Sequence, residues 1–284
     1  MQQAGQVTPT KNETILVTGS AGFIGGYLLR ELEDRYERVM CMYRNRLPHT
    51  YEEYVPFYSD LLVSDVLAAP LRNVQTVVHL AWSNNFVGSG NDILHKEMHK
   101  VFTPNLRALN NLIAAMERAR TPRLIFLSVK GAHCDAMTAF AREKYIAEHY
   151  ILNSRIPQKI IIRCPVVWEG IQTQDKFVRS VLHLMRVPGF SFLPKTYRSV
   201  SLAHVDKLAA YLVELCSAAI PSAVVLTNAP VQEQHELKTL YRSIAHDLLD
   251  GKHKLIVGGA VGDAMLPFLE RNNSPKVSQY LSSI

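Results

Sequence analysis

Short apolar runs recur along the chain as far as Pro165, each bounded by polar or turn-forming positions, and several are followed by a stretch whose apolar residues repeat at helical intervals. The runs are Ile15–Val17, Val39–Tyr43, Val55–Tyr58, Thr76–Ala81, Arg123–Ser128 and Lys159–Arg163. Their length and β-branched content predict buried strands. Between them, Leu28, Leu29 and Leu32 mark a first helix, and Thr138–Leu152 marks another. A longer amphipathic helix is predicted from about His95 to Arg120, with Leu106, Leu109, Leu112, Ile113 and Met116 on its apolar face and Pro104 placed to split it. Strand and helix in alternation predict an α/β fold, a doubly wound parallel sheet with right-handed crossovers.

Beyond Pro165 the alternation loosens. Helices are predicted over Asp175–Met185, His204–Ser217, Glu233–Leu249 and Ala264–Leu281, and strands over Ser199–Leu202, Val224–Leu226 and Lys254–Val257. The expected division is a polar, disordered lead (1–12), a nucleotide-binding domain (13–165) and a smaller C-terminal substrate lobe (166–284), with some segments of the last returning to the main core.

The first strand runs straight into Gly19, Gly22 and Gly25, and a helix follows. Glycines spaced in this way let the backbone turn sharply, admit a pyrophosphate close to bare amides and seat the helix on its strand. A dinucleotide cofactor is therefore expected at this turn. The end of the second strand bears on which one: an acidic side chain there would accept hydrogen bonds from a ribose hydroxyl, whereas Arg44 and Arg46 suit a ribose phosphate. NADP is expected, with NAD as the alternative.

The chain of 284 residues carries a formal net charge of +6, and its Lys and Arg are scattered instead of clustering with aromatics, which argues against nucleic acid and for an anionic small ligand. No apolar run is long enough for a membrane span. Four cysteines stand far apart, without zinc spacing, as expected of reduced thiols in the cytoplasm. His95 and His99 lie one turn apart but read as a solvated helix face, so no metal is expected. His79 reads as a packed, hydrogen-bonded histidine. Neither a Walker phosphate loop nor a nucleophile elbow is present in the sequence, which removes the kinase and hydrolase readings.

Thr18 to Gly25, Asp65 with Val66, His79-Leu80-Ala81, Asn105, Arg163 with Val167-Trp168, and His204-Val205-Asp206 follow one another in an order that resembles the extended short-chain dehydrogenase/reductase family of nucleotide-sugar epimerases, dehydratases and reductases. The resemblance implies a Rossmann sheet and cofactor contacts at Gly19, Ser20, Gly22, Phe23, Ile24, Gly25, Arg44, Asp65, Val66, Leu80, Ala81 and Lys144. It also implies a small carbonyl substrate, such as a nucleotide-linked sugar, and leaves open a homodimer formed through the helices around Leu106–Met116 and Ile146–Leu152.

The family's catalytic pair is Tyr-x-x-x-Lys on a helix, joined by a Ser or Thr from the end of the fifth strand. Lys144 fits the lysine, and Phe140 then stands where the tyrosine belongs. Phe140 has no ionisable proton. Ser128 is retained, but Val129 occupies the position where the acting hydroxyl most often sits. The loop from Lys130 to Met137 is short, and within it His133, Cys134 and Asp135 are candidates for a substitute proton donor, His133 and Cys134 first. Tyr145, about a hundred degrees round the helix from Lys144, is expected to face elsewhere. Two readings follow: an oxidoreductase or epimerase with a nonstandard acid/base, or a dinucleotide-binding sensor or scaffold that has lost turnover.

Overall fold

The computed structural model describes residues 13–33, 35, 36, 38–44, 54–63, 67–83, 103–136, 138–169, 190–194, 199–217, 224–230, 232–236 and 255–259. The chain divides into two compact units, Met1–Arg163 with Asp206–Asn228, and Cys164–Val205 with Ala229–Ile284.

The first unit is built on a sheet of seven strands: β1 (Thr14–Thr18), β2 (Arg38–Tyr43), β3 (Val55–Tyr58), β4 (Thr76–His79), β5 (Arg123–Val129), β6 (Gln158–Cys164) and β10 (Val224–Asn228), in the order β10-β6-β5-β4-β1-β2-β3. The pairs β3–β2, β2–β1, β1–β4, β4–β5 and β6–β10 are all parallel. The direction of winding reverses between β1 and β4, and in open α/β sheets such a crevice is where ligands bind.

Because side chains alternate across a strand, each buried strand supplies two cores. Leu16, Val77, Leu124 and Phe126 face one core, with Leu106, Leu109, Leu112, Ile113 and Met116 of α3 (Pro104–Ala119) and Ala147 and Ile151 of α4 (Ala139–Leu152). Ile15, Val17, Val78 and Ile125 are also buried but stand outside that cluster, on the alternate positions. Helices thus cover the sheet on both faces, as the alternating pattern predicts. The apolar residues considered for a helix–helix dimer, from Leu106 to Met116 and at Ile151, are used by this core. Each large aliphatic side chain so buried stabilises the fold by about 1.5–3 kcal/mol.

Pro104 opens α3, a helix boundary at the position where the sequence placed a split, and the residues just before Thr103 lie outside the described ones. The proline stands at the first turn, where its missing N–H has no partner to lose, and the Thr103 hydroxyl accepts from the Leu106 N–H at 3.2 Å. His95 and His99 lie outside the described residues, as do Asp65, Val66, Arg46, the lead and the helices expected over Asp175–Met185 and Ala264–Leu281. The remaining elements of the first unit are α1 (Phe23–Glu33), the short α2 (Ala68–Leu71) and, apart from its first residue, α5 (Val205–Ser217).

In the second unit, β7 (Val166–Trp168), β9 (Ser199–His204) and β11 (Gln232–Glu236) form one small sheet, and β8 (Phe190–Pro194) pairs in parallel with β12 (Leu255–Gly259) in another. Gln232–Glu236 corrects the expectation of a helix beginning at Glu233. The segment is antiparallel to β9, with Gln232 opposite Ala203 and Glu236 opposite Ser199. Main-chain pairing with β9 overrides the weak helical preference of a polar stretch. The rest of that expected helix lies outside the described residues.

Candidate functional site

The turn after β1 closes by backbone packing. Gly19 has φ +71°, a conformation that side chains rarely adopt, and a Cβ there would lie 2.6 Å from the Ala81 amide nitrogen and 2.8 Å from the Leu80 carbonyl carbon. A Cβ on Gly25 would lie 2.4 Å from the Gly19 carbonyl oxygen and 2.8 Å from Ser20 Cα. The Gly22 N–H donates to the Gly19 carbonyl at 2.9 Å, and the Ser20 hydroxyl donates to the Met42 carbonyl at 3.1 Å, which ties the turn to β2. The Gly26 N–H donates to the Gly22 carbonyl at 3.0 Å. The amides of Phe23, Ile24 and Gly25 thus stand in the first turn of α1, where helical N–H groups lack intrahelical acceptors and favour an anion.

The opposite wall follows β4. The Leu80 N–H donates to the Thr18 carbonyl at 3.1 Å and the Ala81 N–H to the Thr18 hydroxyl at 3.3 Å. His79 Nδ1 lies 2.7 Å from the same hydroxyl, its ring stacks on Phe126, and burial followed by the nearby Lys144 charge pushes its pKa down to about 3. His79 is thus the packed histidine expected. These residues meet at the crevice between β1 and β4 and fit a dinucleotide pyrophosphate: a tight glycine turn, a helix N-terminus and a close second wall.

Lys144 and Phe140 share one face of α4, with the Lys144 Nζ 5.9 Å from the Phe140 ring centre. The ammonium is enclosed. Lys144 is 5% exposed, lies 3.8 Å from the Trp82 ring centre and 4.4 Å from that of Phe126, and donates to the Leu127 carbonyl at 2.8 Å. Burial pushes its pKa down to about 7, against the opposing pull of Glu143 and Glu148.

Those two carboxylates, neither of them among the candidate site residues, organise the surroundings. Glu143 is 5% exposed and accepts from Trp82 Nε1 at 3.1 Å, from Asn105 Nδ2 at 3.1 Å and from the Thr103 hydroxyl. Glu148 is 2% exposed in its side chain and takes Arg163 in a two-point pair, from Nε at 2.9 Å and from Nη2 at 2.6 Å, which raises the arginine pKa. The Ser128 hydroxyl donates to the same carboxylate at 2.6 Å. Both Ser128 and Lys144 are therefore buried and bonded within the fold. No signal along the chain separates Glu143 from a solvated glutamate, because its donors come from Trp82, Thr103 and Asn105.

The loop after β5 is exposed. His133, Cys134 and Asp135 gather within 4.8 Å of one another, with Cys134 Sγ 3.6 Å from His133 Nδ1 and the Asp135 N–H donating to that nitrogen at 3.2 Å. The His133 ring lies 5.9 Å from Tyr145, whose other neighbour is His149 at 4.5 Å. Tyr145 accordingly faces this loop. Val129 ends β5, and the Ala132 N–H donates back to its carbonyl at 3.1 Å across Gly131, whose φ is +87°. Arg44, at the end of β2, lies 3.8 Å from Asp60, with half of its side chain exposed. Cys41, Cys164 and Cys216 are buried free thiols, and no helix among the described residues is long and apolar enough to cross a membrane.

Residues 15–186 match the NAD dependent epimerase/dehydratase family. A dTDP-4-dehydro-6-deoxy-D-allose reductase of Streptomyces bikiniensis is 28% identical over 158 residues, covering 49% of this chain and 47% of that protein. The chain spans less than half the length of several curated relatives it matches. Two solved structures share the fold. The UDP-N-acetylglucosamine 4-epimerase of Methanobrevibacter ruminantium M1, in complex with UDP-N-acetylmuramic acid, gives a TM-score of 0.65 at 17% identity, over 88% of this chain and 86% of that one. The UDP-glucuronic acid 4-epimerase of Bacillus cereus, in complex with UDP-glucuronic acid and NAD, gives 0.63 at 18% identity, over 95% and 97%.

Proposed function

The chain belongs to the NAD-dependent epimerase/dehydratase family, and on that premise we propose that it binds NADP(H) at the crevice between β1 and β4 and acts as an oxidoreductase or epimerase on a nucleotide-linked sugar or another small carbonyl compound. The observation that carries the reading is the glycine turn packed against Leu80 and Ala81, with the first-turn amides of α1 beside it. Gly19 to Gly25 would hold the pyrophosphate, and Arg44 the ribose phosphate that distinguishes NADP from NAD. The nucleotide-sugar class is supported by the dTDP-sugar reductase and the two UDP-sugar epimerases that the chain resembles. A cytoplasmic location, and a homodimer through the partly exposed Ile146, Tyr150 and Leu152 of α4, belong to the same reading.

The bound nicotinamide would supply hydride transfer. Proton transfer to or from the substrate oxygen then needs a group other than Phe140, and His133 with Cys134 is the exposed pair on the adjoining loop. One set of observations favours a second reading, a dinucleotide-binding sensor or scaffold without turnover: Phe140 lacks a hydroxyl, Val129 replaces another, and Ser128 and Lys144 are both engaged internally.

Purified protein tests both readings. Bound dinucleotide is measured by absorbance and mass, followed by NADPH oxidation with a panel of UDP- and dTDP-sugars and small ketones. Turnover that falls at least tenfold in His133→Ala or Cys134→Ser supports the enzyme and its proton donor, and turnover unchanged in both removes that donor. Dinucleotide binding with no turnover, unchanged by Phe140→Tyr, supports the sensor. Absence of dinucleotide binding overturns both.

A further inference from the structure

The buried carboxylate of Glu143 collects hydrogen bonds from three places that the chain brings together from far apart. Thr103 donates from the cap of α3, Asn105 from its first turn, and Trp82 from the segment that follows β4. Asn105 does more than meet Glu143. Its Oδ1 accepts from the Ser83 N–H at 3.0 Å, and its Nδ2 donates to the Ser83 carbonyl at 2.8 Å, so one side chain holds both main-chain groups of Ser83. The segment held in this way is continuous with Leu80 and Ala81, whose backbone lies within 2.8 Å of where a Gly19 Cβ would stand.

The Trp82 and Asn105 N–H groups meet one oxygen of Glu143 and the Thr103 hydroxyl meets the other, so a carboxylate accepts from all three. A carboxamide would keep the first two on its oxygen and turn its N–H toward Thr103, whose hydroxyl already accepts from the Leu106 N–H and would have to give up its own donation to the cluster. An acceptor at both ends of the group thus fits the cluster better than an amide of the same shape. The same carboxylate orients the Trp82 indole, the ring that lies 3.8 Å from the Lys144 ammonium and meets Phe126 edge-on at 5.7 Å. Glu143 therefore sets two things together, the course of residues 81–83 and the aromatic cover over Lys144.

We propose that Glu143 is a positioning residue for the dinucleotide site, acting through Trp82 and through the Asn105 clamp on Ser83 to hold the wall opposite the glycine turn. The inference rests on the dinucleotide reading above. It adds that the wall is fixed by a buried acid on α4, beside Lys144, so that cofactor affinity depends on a residue that does not face the pyrophosphate.

The experiment measures NADPH and NADH affinity by calorimetry for the wild type, Glu143→Gln and Trp82→Phe. Emission of Trp82 is followed in parallel in a Trp168→Phe background, which leaves it as the single tryptophan of the two in the chain. Glu143→Gln is expected to weaken the preferred dinucleotide about tenfold or more and to shift Trp82 emission to longer wavelength, and Trp82→Phe to weaken it by a smaller factor. A purely structural role would lower the unfolding midpoint of Glu143→Gln and leave both the affinity of the folded protein and the emission where they were, which overturns the proposal. Where Glu143→Gln does not fold, Trp82→Phe decides, and wild-type affinity in that variant overturns it. A wild type that binds neither dinucleotide sinks the dinucleotide reading and this inference together, whereas a binding wild type with an indifferent Glu143→Gln sinks this inference alone.

Discussion

Substituting Gly25 and Gly26 in turn separates the steric requirement of the turn from helix propensity. A Cβ on Gly25 falls 2.4 Å from the Gly19 carbonyl oxygen, against the 3.4 Å at which ordinary contact begins, and the other near atoms are the Ser20 Cα and carbonyl oxygen, each at 2.8 Å. All are backbone, so none can swing away, and the helix must move off the turn by about 1 Å, a typical overpacking cost of about 1–3 kcal/mol. Gly26 is the next residue on the same helix, and a Cβ there meets nothing within 4 Å. Its replacement by alanine removes only glycine's conformational penalty and is expected to stabilise by about 0.5–1 kcal/mol. Chemical denaturation followed by circular dichroism gives both numbers, and calorimetry with NADPH gives the functional consequence. Gly25→Ala should lose stability and weaken binding, because the helix displaced from the turn carries the first-turn amides with it, while Gly26→Ala should gain stability and keep its affinity. Equal behaviour of the two variants, or a Gly25→Ala protein with wild-type stability and affinity, refutes the packing argument.

Two further outcomes follow from the site. Arg44→Ala should lower affinity for NADPH and leave that for NADH nearly unchanged. A charge-assisted bond to phosphate is worth about 1.5–3 kcal/mol, and the half-exposed, Asp60-paired Arg44 belongs at the low end; equal losses for the two cofactors would remove Arg44 from the phosphate. His79 has its folded pKa pushed from 6.5 to about 3, so between those values the unfolded chain takes up a proton that the folded protein refuses. Stability from this group is full above about pH 6.5 and falls with acidification, with a slope approaching 1.4 kcal/mol per pH unit. The difference between wild type and His79→Gln in urea denaturation from pH 7.5 to 4.5 should carry that slope, and a difference independent of pH would exclude it.

What could be read from the sequence was what local pattern controls. The glycine turn, the strand beginning at Thr76 and the shared face of Phe140 and Lys144 each follow from spacing along one element, and each stands where spacing put it, although that strand ends at His79 and not at Ala81. The start of α3 was legible as a break at Pro104, and Thr103 just before it supplies the cap. Gln232–Glu236 was not legible, since a run of polar residues carries no strand alternation and its pairing is dictated by β9, some thirty residues away in sequence. The carboxylates were hidden for a related reason. A glutamate in a helix reads as a solvated charge until tertiary contacts supply its donors, and those of Glu143 come from Trp82, Thr103 and Asn105. Burial of Ser128 and Lys144 could not be inferred either, because it depends on Glu148 and on the rings of Trp82 and Phe126.

The glycine turn is held by contacts between main-chain atoms, with Gly19 against Ala81 and Gly25 against Gly19 and Ser20. A shape fixed in that way is complete before any phosphate arrives. Ordering a flexible loop costs about 1–2 kcal/mol for each residue immobilised, and a dinucleotide meeting this turn is spared that loss. Its association should accordingly proceed by simple docking at the pyrophosphate, leaving any slow or ligand-dependent step to the parts of the chain that hold its nicotinamide and its substrate.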